Sequence, residues 1–192
     1  MRKVLTTFML ISFLSLITLA KDFRYINWGM DKSEVSMNEM STLYERGNNY
    51  LVYEMKLYGI ESYLIYKFDN NSCYEAMYYF LENHWDEDDY FKDYEKVKKG
   101  LISQYGKPRS FEEKYTDNYY ENKPDKKGYA LNQGILTVES IWQYPETTVI
   151  LTLAKPEGED YILMTLAYRN LFNDFYTYIL DFKENIERDF DF

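Results

Sequence analysis

The sequence predicts an α+β fold: two helix-plus-antiparallel-meander units in tandem, with a C-terminal helix. Three observations carry this expectation. From Asp88 to Tyr105 apolar residues recur in steps of three and four, the period of an amphipathic helix. Runs dense in aromatic and aliphatic side chains fall into two groups of three, with only short turn-forming stretches between neighbouring runs. A capped helix start precedes the first group, as the Asp88 helix precedes the second.

The first twenty residues, MRKVLTTFMLISFLSLITLA, place Arg2 and Lys3 ahead of an apolar run from Val4 to Leu19, with Thr18 and Ala20 at the minus-three and minus-one positions of a cleavage site. Thr6, Thr7, Ser12 and Ser15 interrupt the run, which falls short of the roughly 20 predominantly apolar residues of a spanning helix. Residues 1–20 therefore read as a signal peptide and residues 21–192 as a single α+β domain. No cysteine directly follows the leader to take a lipid, so the expected product is secreted or periplasmic, with no stable membrane anchor after cleavage.

Removing the leader takes away Arg2 and Lys3 and leaves 20 Lys+Arg against 32 Asp+Glu, a net charge of −12. Such a chain repels phosphate backbones and anionic lipid, which argues against a nucleic-acid role. A mature length of 172 residues suffices to bury about 70% of the unfolded-chain surface without staples. Cys73 is the only cysteine, so an intrachain disulfide framework is excluded. The 22 tyrosines, together with abundant Asn, Lys, Asp and Ile, fit A/T-rich codons and suit half-buried sheet faces.

The first unit spans about residues 28–80. Asp31 reads as an N-cap with Glu34 three residues on, and Met30 and Val35 flank the first turn. Val35, Met37 and Met40 form a short inner face, and the helix is expected to fade near Ser41 or Thr42. Trp28 should pack beside the helix start, with Gly29 letting the chain turn past the indole. Tyr50–Leu57, Ile60–Phe68 and Ser72–Phe80 then read as a three-stranded meander, punctuated by Tyr58-Gly59 and Asp69-Asn70-Asn71.

The second unit spans about residues 88–169. In its helix Tyr90, Tyr94, Val97, Leu101 and Tyr105 share one face, acidic residues lead, lysines trail, and Gly106 with Pro108 ends it. Phe111–Tyr115 is a weak strand, and Ile135–Tyr144, Thr147–Ala154 and Tyr161–Arg169 are clear ones. Thr116–Lys127 is polar and reads as a loop. Phe172, Phe175, Ile179, Phe182 and Ile186 predict a C-terminal helix over 171–188, with Asp181, Lys183, Glu184, Glu187 and Arg188 outward.

FRYINWGMDKSEV, from Phe23 to Val35, resembles the start of uncharacterised bacterial exported proteins with a pattern like FRxIxWGxSxEEV. Leu101-Ile-Ser-Gln-Tyr-Gly-Lys-Pro108 resembles their LxxxYGKP helix ending. The helix-then-sheet unit is also similar to the module shared by β-lactamase inhibitory proteins and the small lipoproteins of outer-membrane assembly.

Few side chains suggest chemistry. Cys73 and His84 are the only nucleophile–base pair that can be assembled from a thiol and an imidazole, and nothing in their spacing places an orienting partner. One histidine and one cysteine do not supply a zinc site. Asp86-Glu87-Asp88-Asp89 offers oxygen ligands but lacks the glycine and terminal glutamate of a calcium loop, and reads as a helix N-terminus. The chain has neither a Gly-rich phosphate loop nor a nucleophile elbow. The expectation is a non-catalytic, cofactor-free module with a protein partner in the cell envelope. The alternative is a small-ligand or glycan binder using exposed Tyr and Trp, with Trp85, Trp142 and Tyr144 as the candidate binding residues.

Overall fold

The computed structural model describes residues 22–171. The expected leader and C-terminal helix lie outside the described residues. The fold is α+β: one eight-stranded antiparallel sheet in the order β1-β2-β3-β4-β8-β7-β6-β5, with its helices on one face. In chain order the elements are α1 (Lys32–Asn38), β1 (Thr42–Arg46), β2 (Tyr50–Leu57), β3 (Ile60–Asp69), β4 (Ser72–Phe80), α2 (Glu87–Tyr105), β5 (Ser110–Tyr115), a 3-10 turn (Pro124–Lys126), α3 (Lys127–Asn132), β6 (Leu136–Gln143), β7 (Thr147–Ala154) and β8 (Leu163–Asn170).

Local chemistry explains the well-signalled elements. Asp31 accepts from the backbone of Ser33 and Glu34, both at 2.8 Å, and Glu34 reaches back to the Asp31 N–H at 2.9 Å, a complete capping box. The turns Tyr58-Gly59 and Asn70-Asn71 hold both central residues at positive φ, the conformation that matches strand twist in a two-residue hairpin. In α2 the predicted face is buried through Tyr90, Tyr94, Val97 and Leu101. These meet Val35, Leu51, Tyr53, Leu64, Tyr66, Val149 and Leu151 in the main core, to which α3 adds Ala130 and Leu131.

The structure corrects the expected boundaries in four places. The first meander has four strands rather than three, because Thr42–Arg46 pairs with β2, whereas the weak strand expected at Phe111–Tyr115 forms as Ser110–Tyr115, pairs with β6 and starts one residue earlier. Helix α1 stops at Asn38, with Glu39 already extended (φ −77°, ψ 126°), so only Val35 is an inner residue; Met37 and Met40, expected inside, are 75% and 81% exposed. The stretch after Thr116 contains the 3-10 turn and α3 rather than loop alone. Strand β8 starts at Leu163, two residues after the expected Tyr161.

The opposite face of the sheet has its own smaller cluster, Val52, Ile65, Met77 and Ala167, with Tyr50, Tyr63 and Tyr79 packed against it. Strands β4 and β8, the last of each meander, join the two halves antiparallel through Tyr78↔Leu166 and Met77↔Ala167. Among the described residues no helix is long and apolar enough to cross a membrane.

Candidate functional site

The corner between α1 and β1 combines a locked backbone with exposed apolar side chains. Its anchor is Glu39, the residue at which α1 ends. The Glu39 carboxylate lies 3.1 Å from the Arg24 guanidinium, accepts from the Tyr66 hydroxyl at 2.6 Å, and accepts from the Ser41 hydroxyl and N–H at 2.8 and 3.0 Å. Arg24 also donates to the Tyr78 hydroxyl at 3.4 Å. The turn that brings it there is tight: Phe23 and Ile26 exchange backbone hydrogen bonds, and Arg24 takes φ +50°.

Electrostatics follow from this arrangement. Burial alone would raise the Glu39 carboxyl, but hydrogen bonds from Tyr66 and Ser41 and the Arg24 charge outweigh it and hold the group below the ordinary carboxylate range. Burial and the hydrogen bond to Glu39 push the Tyr66 phenol well up, so it stays a donor. With the carboxylate turned inward, Met37, Met40, Leu43 and Tyr44 are left exposed in one short segment. Tyr44 leans on Tyr63 of β3 on the opposite face, with ring centroids 4.7 Å apart and planes at 32°.

The segment before α1 is tied to both halves of the sheet. Gly29 donates to the Cys73 carbonyl at 2.8 Å and Cys73 donates to the Met30 carbonyl at 2.9 Å. Trp28 is half-buried and donates its indole N–H to the Thr147 hydroxyl of β7 at 2.9 Å. The Trp-Gly pair is thus a strap that ties the segment before α1 to β4 and, across β8, to β7, with Gly29 at φ +88°.

The three candidate binding residues do not form one surface. Trp142 is buried and donates to the Gly106 carbonyl at 2.8 Å, and half-buried Tyr144 donates to the Tyr105 carbonyl at 2.8 Å. Both serve carbonyls at the end of α2 that have no helical partner, so their polar atoms are committed inside the fold. Trp85, in the link between β4 and α2, is fully exposed.

Cys73 and His84 have separate partners. The thiol is buried against the Glu75 carbonyl at 3.9 Å, and burial pushes it up to about 12. The imidazole lies 2.7 Å from Asp93 and packs edge-on to Tyr90. In the acidic stretch Asp86 caps α2 through the Asp88 N–H at 3.0 Å, and Asp89 pairs with Lys92. Among the described residues no group of three His, Cys, Asp or Glu side chains is placed to hold a metal ion.

Sequence reasoning missed Met37, Met40 and Leu43 as surface residues. Met37 lies within α1 two positions on from the inward Val35 and so faces away from the core, while Met40 and Leu43 lie beyond the helix end, where Glu39 pairs with Arg24, a position with no shared local pattern. Comparisons with protein-family models, with curated proteins and with solved structures return no match.

Proposed function

We propose that this protein is a non-catalytic, exported interaction module that uses the α1–β1 corner to hold an apolar, net-basic segment of another cell-envelope protein. The carrying observation is the joint exposure of Met37, Met40, Leu43 and Tyr44 directly beside a backbone fixed by the Glu39 cluster. Met37, Met40 and Leu43 are exposed along one short segment while Tyr44 points to the other face of β1; exposed apolar side chains so close in the chain support a contact surface, and methionine adapts to varied partners. The backbone edge of β1 contributes less: a register shift between Leu43 and Glu45 breaks its ladder, which blunts open-ended strand pairing and leaves recognition to side chains. The net charge of −10 for the whole chain favours a basic partner.

The architecture supports a second part of the reading, that the two halves are related units. Each runs helix then four antiparallel strands, and they meet at their last strands, β4 and β8. That arrangement agrees with the resemblance to tandem helix-plus-sheet modules.

The test is a photo-crosslinking residue placed at Met40 in the exporting cell, with one at Asp125 as control. A discrete heterologous adduct from position 40, lost when Met37→Asp is added and absent from position 125, is the expected result. Adducts only between copies of this chain would overturn the proposal. A small-ligand or glycan reading has its own observation, the Tyr44–Tyr63 ring pair and the fully exposed Trp85. Glycan binding abolished by Tyr44→Ala would favour it over the protein partner.

A further inference from the structure

Strand β5 ends the sheet order, and among the described residues no strand pairs with its outer side. Phe111, Glu112, Glu113 and Lys114, its middle, are exposed. Its ladder with β6 runs from Ser110↔Ile141 to Tyr115↔Leu136 without a register shift, whereas the ladder of β1, at the other edge, is broken. The Thr116 N–H, just past the strand, donates to the Ile135 carbonyl at 2.9 Å and so points toward the β6 side. Successive residues of an extended chain turn their backbone groups to opposite sides, so Glu112 and Lys114 face β6 while Phe111, Glu113 and Tyr115 turn N–H and C=O outward. An unbroken edge with a row of outward donors and acceptors is a template for another strand.

We propose that β5 pairs antiparallel with β5 of a second copy of this chain, about a two-fold axis at Glu113, to form one continuous sheet. The outward backbone groups admit only registers that set Phe111, Glu113 and Tyr115 opposite one another in some order. Among those that overlap most of the strand, a pairing centred on Glu112 sets that carboxylate against its own copy, and one centred on Lys114 sets ammonium against ammonium. Like charges directly opposite each other oppose pairing. Centred on Glu113, the strand instead sets Glu112 against Lys114 of the second copy, twice over, and Phe111 against Tyr115. Glu112 and Lys114 share the face away from the helices, where the Lys114 ammonium lies 3.3 Å from Glu112 and 3.1 Å from Glu139 of its own chain. On the helix face Glu113 meets its own copy, but each carboxylate is already neutralised by Lys127 of α3 at 2.5 Å. Lys98 of α2 lies 3.8 Å over the Phe111 ring and holds it on that face, in line with the second copy's Tyr115.

A two-fold pairing uses the β5 edge of both copies and closes on itself, which limits the assembly to two chains. One short strand pair buries less than the ~1,200 Å² of stable interfaces, so association is weak and depends on concentration. This inference is independent of the α1–β1 corner, which lies at the other end of the sheet order and stays free in both copies.

The experiment follows sedimentation of the chain recovered from an exporting cell at about 10 μM to about 1 mM, the span in which weak contacts dissociate. A monomer–dimer equilibrium is expected. Lys114→Glu sets carboxylates opposite each other and should raise the dissociation constant roughly tenfold or more, and adding Glu112→Lys, which reverses the pair, should restore association. Glu113→Pro removes an outward N–H without touching the β6 ladder and should abolish the dimer while circular dichroism retains the native sheet signal. The charge reversal keeps the test decisive if the proline variant fails to fold. A chain monomeric throughout the range, a dimer that Lys114→Glu leaves unchanged, or a double variant no stronger than Lys114→Glu alone would overturn the proposal. So would a ladder of higher oligomers, the signature of head-to-tail pairing between β5 and β1.

Discussion

Trp142 donates its indole N–H to the carbonyl oxygen of Gly106 at 2.8 Å, joining strand β6 to the end of α2 from inside the core. The carbonyl belongs to the helix terminus, where no backbone donor follows in the ladder. Replacement by Phe keeps much of the ring but removes the donor, and because Gly106 is exposed, water can take its place at the carbonyl. Trp142→Phe is expected to lower stability by about 0.5–1.5 kcal/mol, the net worth of one hydrogen bond. Urea denaturation read by circular dichroism would check this, and an unchanged midpoint would show that the bond contributes nothing net.

The same residue shows where sequence reading succeeds and where it stops. Strands β2, β3, β4 and β7 and helix α2 were legible because apolar periodicity and turn chemistry are local properties, and their burial follows those patterns. Strand β1, TLYER, was not: four of its five residues are exposed, so no alternation marks it. Helix α3 is only six residues long and carries no capping side chain. At the candidate site, Trp142 and Tyr144 were identifiable as large aromatic residues, but their acceptors lie 36 and 39 positions upstream. Glu39 likewise acquires its role from Arg24 and from Tyr66, which lies 27 positions on. Pairings of this kind are set by topology, which local spacing does not encode.

The Glu39 cluster predicts an acid-sensitive component of stability. Its carboxyl is held below the ordinary value in the folded state, so the folded form binds fewer protons than the unfolded form as pH falls. The contribution is full above the unfolded pKa of about 4.3 and disappears as pH falls through the lower folded value. Urea midpoints measured from pH 7 down to about pH 3 should therefore decline more steeply in the native chain than in Glu39→Gln, which has no charge to lose at this site. Parallel declines in the two proteins would remove Glu39 from the account.

Gly100 offers a test of packing between α2 and the turn joining β2 to β3. A Cβ added at position 100 would run into the Tyr58 ring, and Tyr58 itself is fixed at φ +52° in that turn. In an exposed helix interior, Gly→Ala stabilises by up to about 1 kcal/mol. Here the ring must move, and overpacking costs about 1–3 kcal/mol. Gly100→Ala is expected to be destabilising, whereas Gly100→Ala combined with Tyr58→Gly should recover the helix gain. Thermal melts of the two variants decide the sign; a higher midpoint for the single variant would rule out the clash.

Cys73 provides an internal reporter of global opening. The thiol is buried, and burial raises it to about 12, so the reactive thiolate is scarce at neutral pH even before access is considered. The backbone on either side is clamped, by Met30 through the Cys73 N–H and by Gly29 through its carbonyl. Local fraying therefore does not expose it, and reaction with an aromatic disulfide at pH 8 should proceed only as fast as the chain unfolds. The labelling rate is expected to rise with urea in step with the unfolding rate measured by fluorescence. A fast phase in native buffer would mean that the strap formed by Trp28 and Gly29 opens on its own, and would make Trp28→Phe the next variant to examine, since it removes the donor to Thr147.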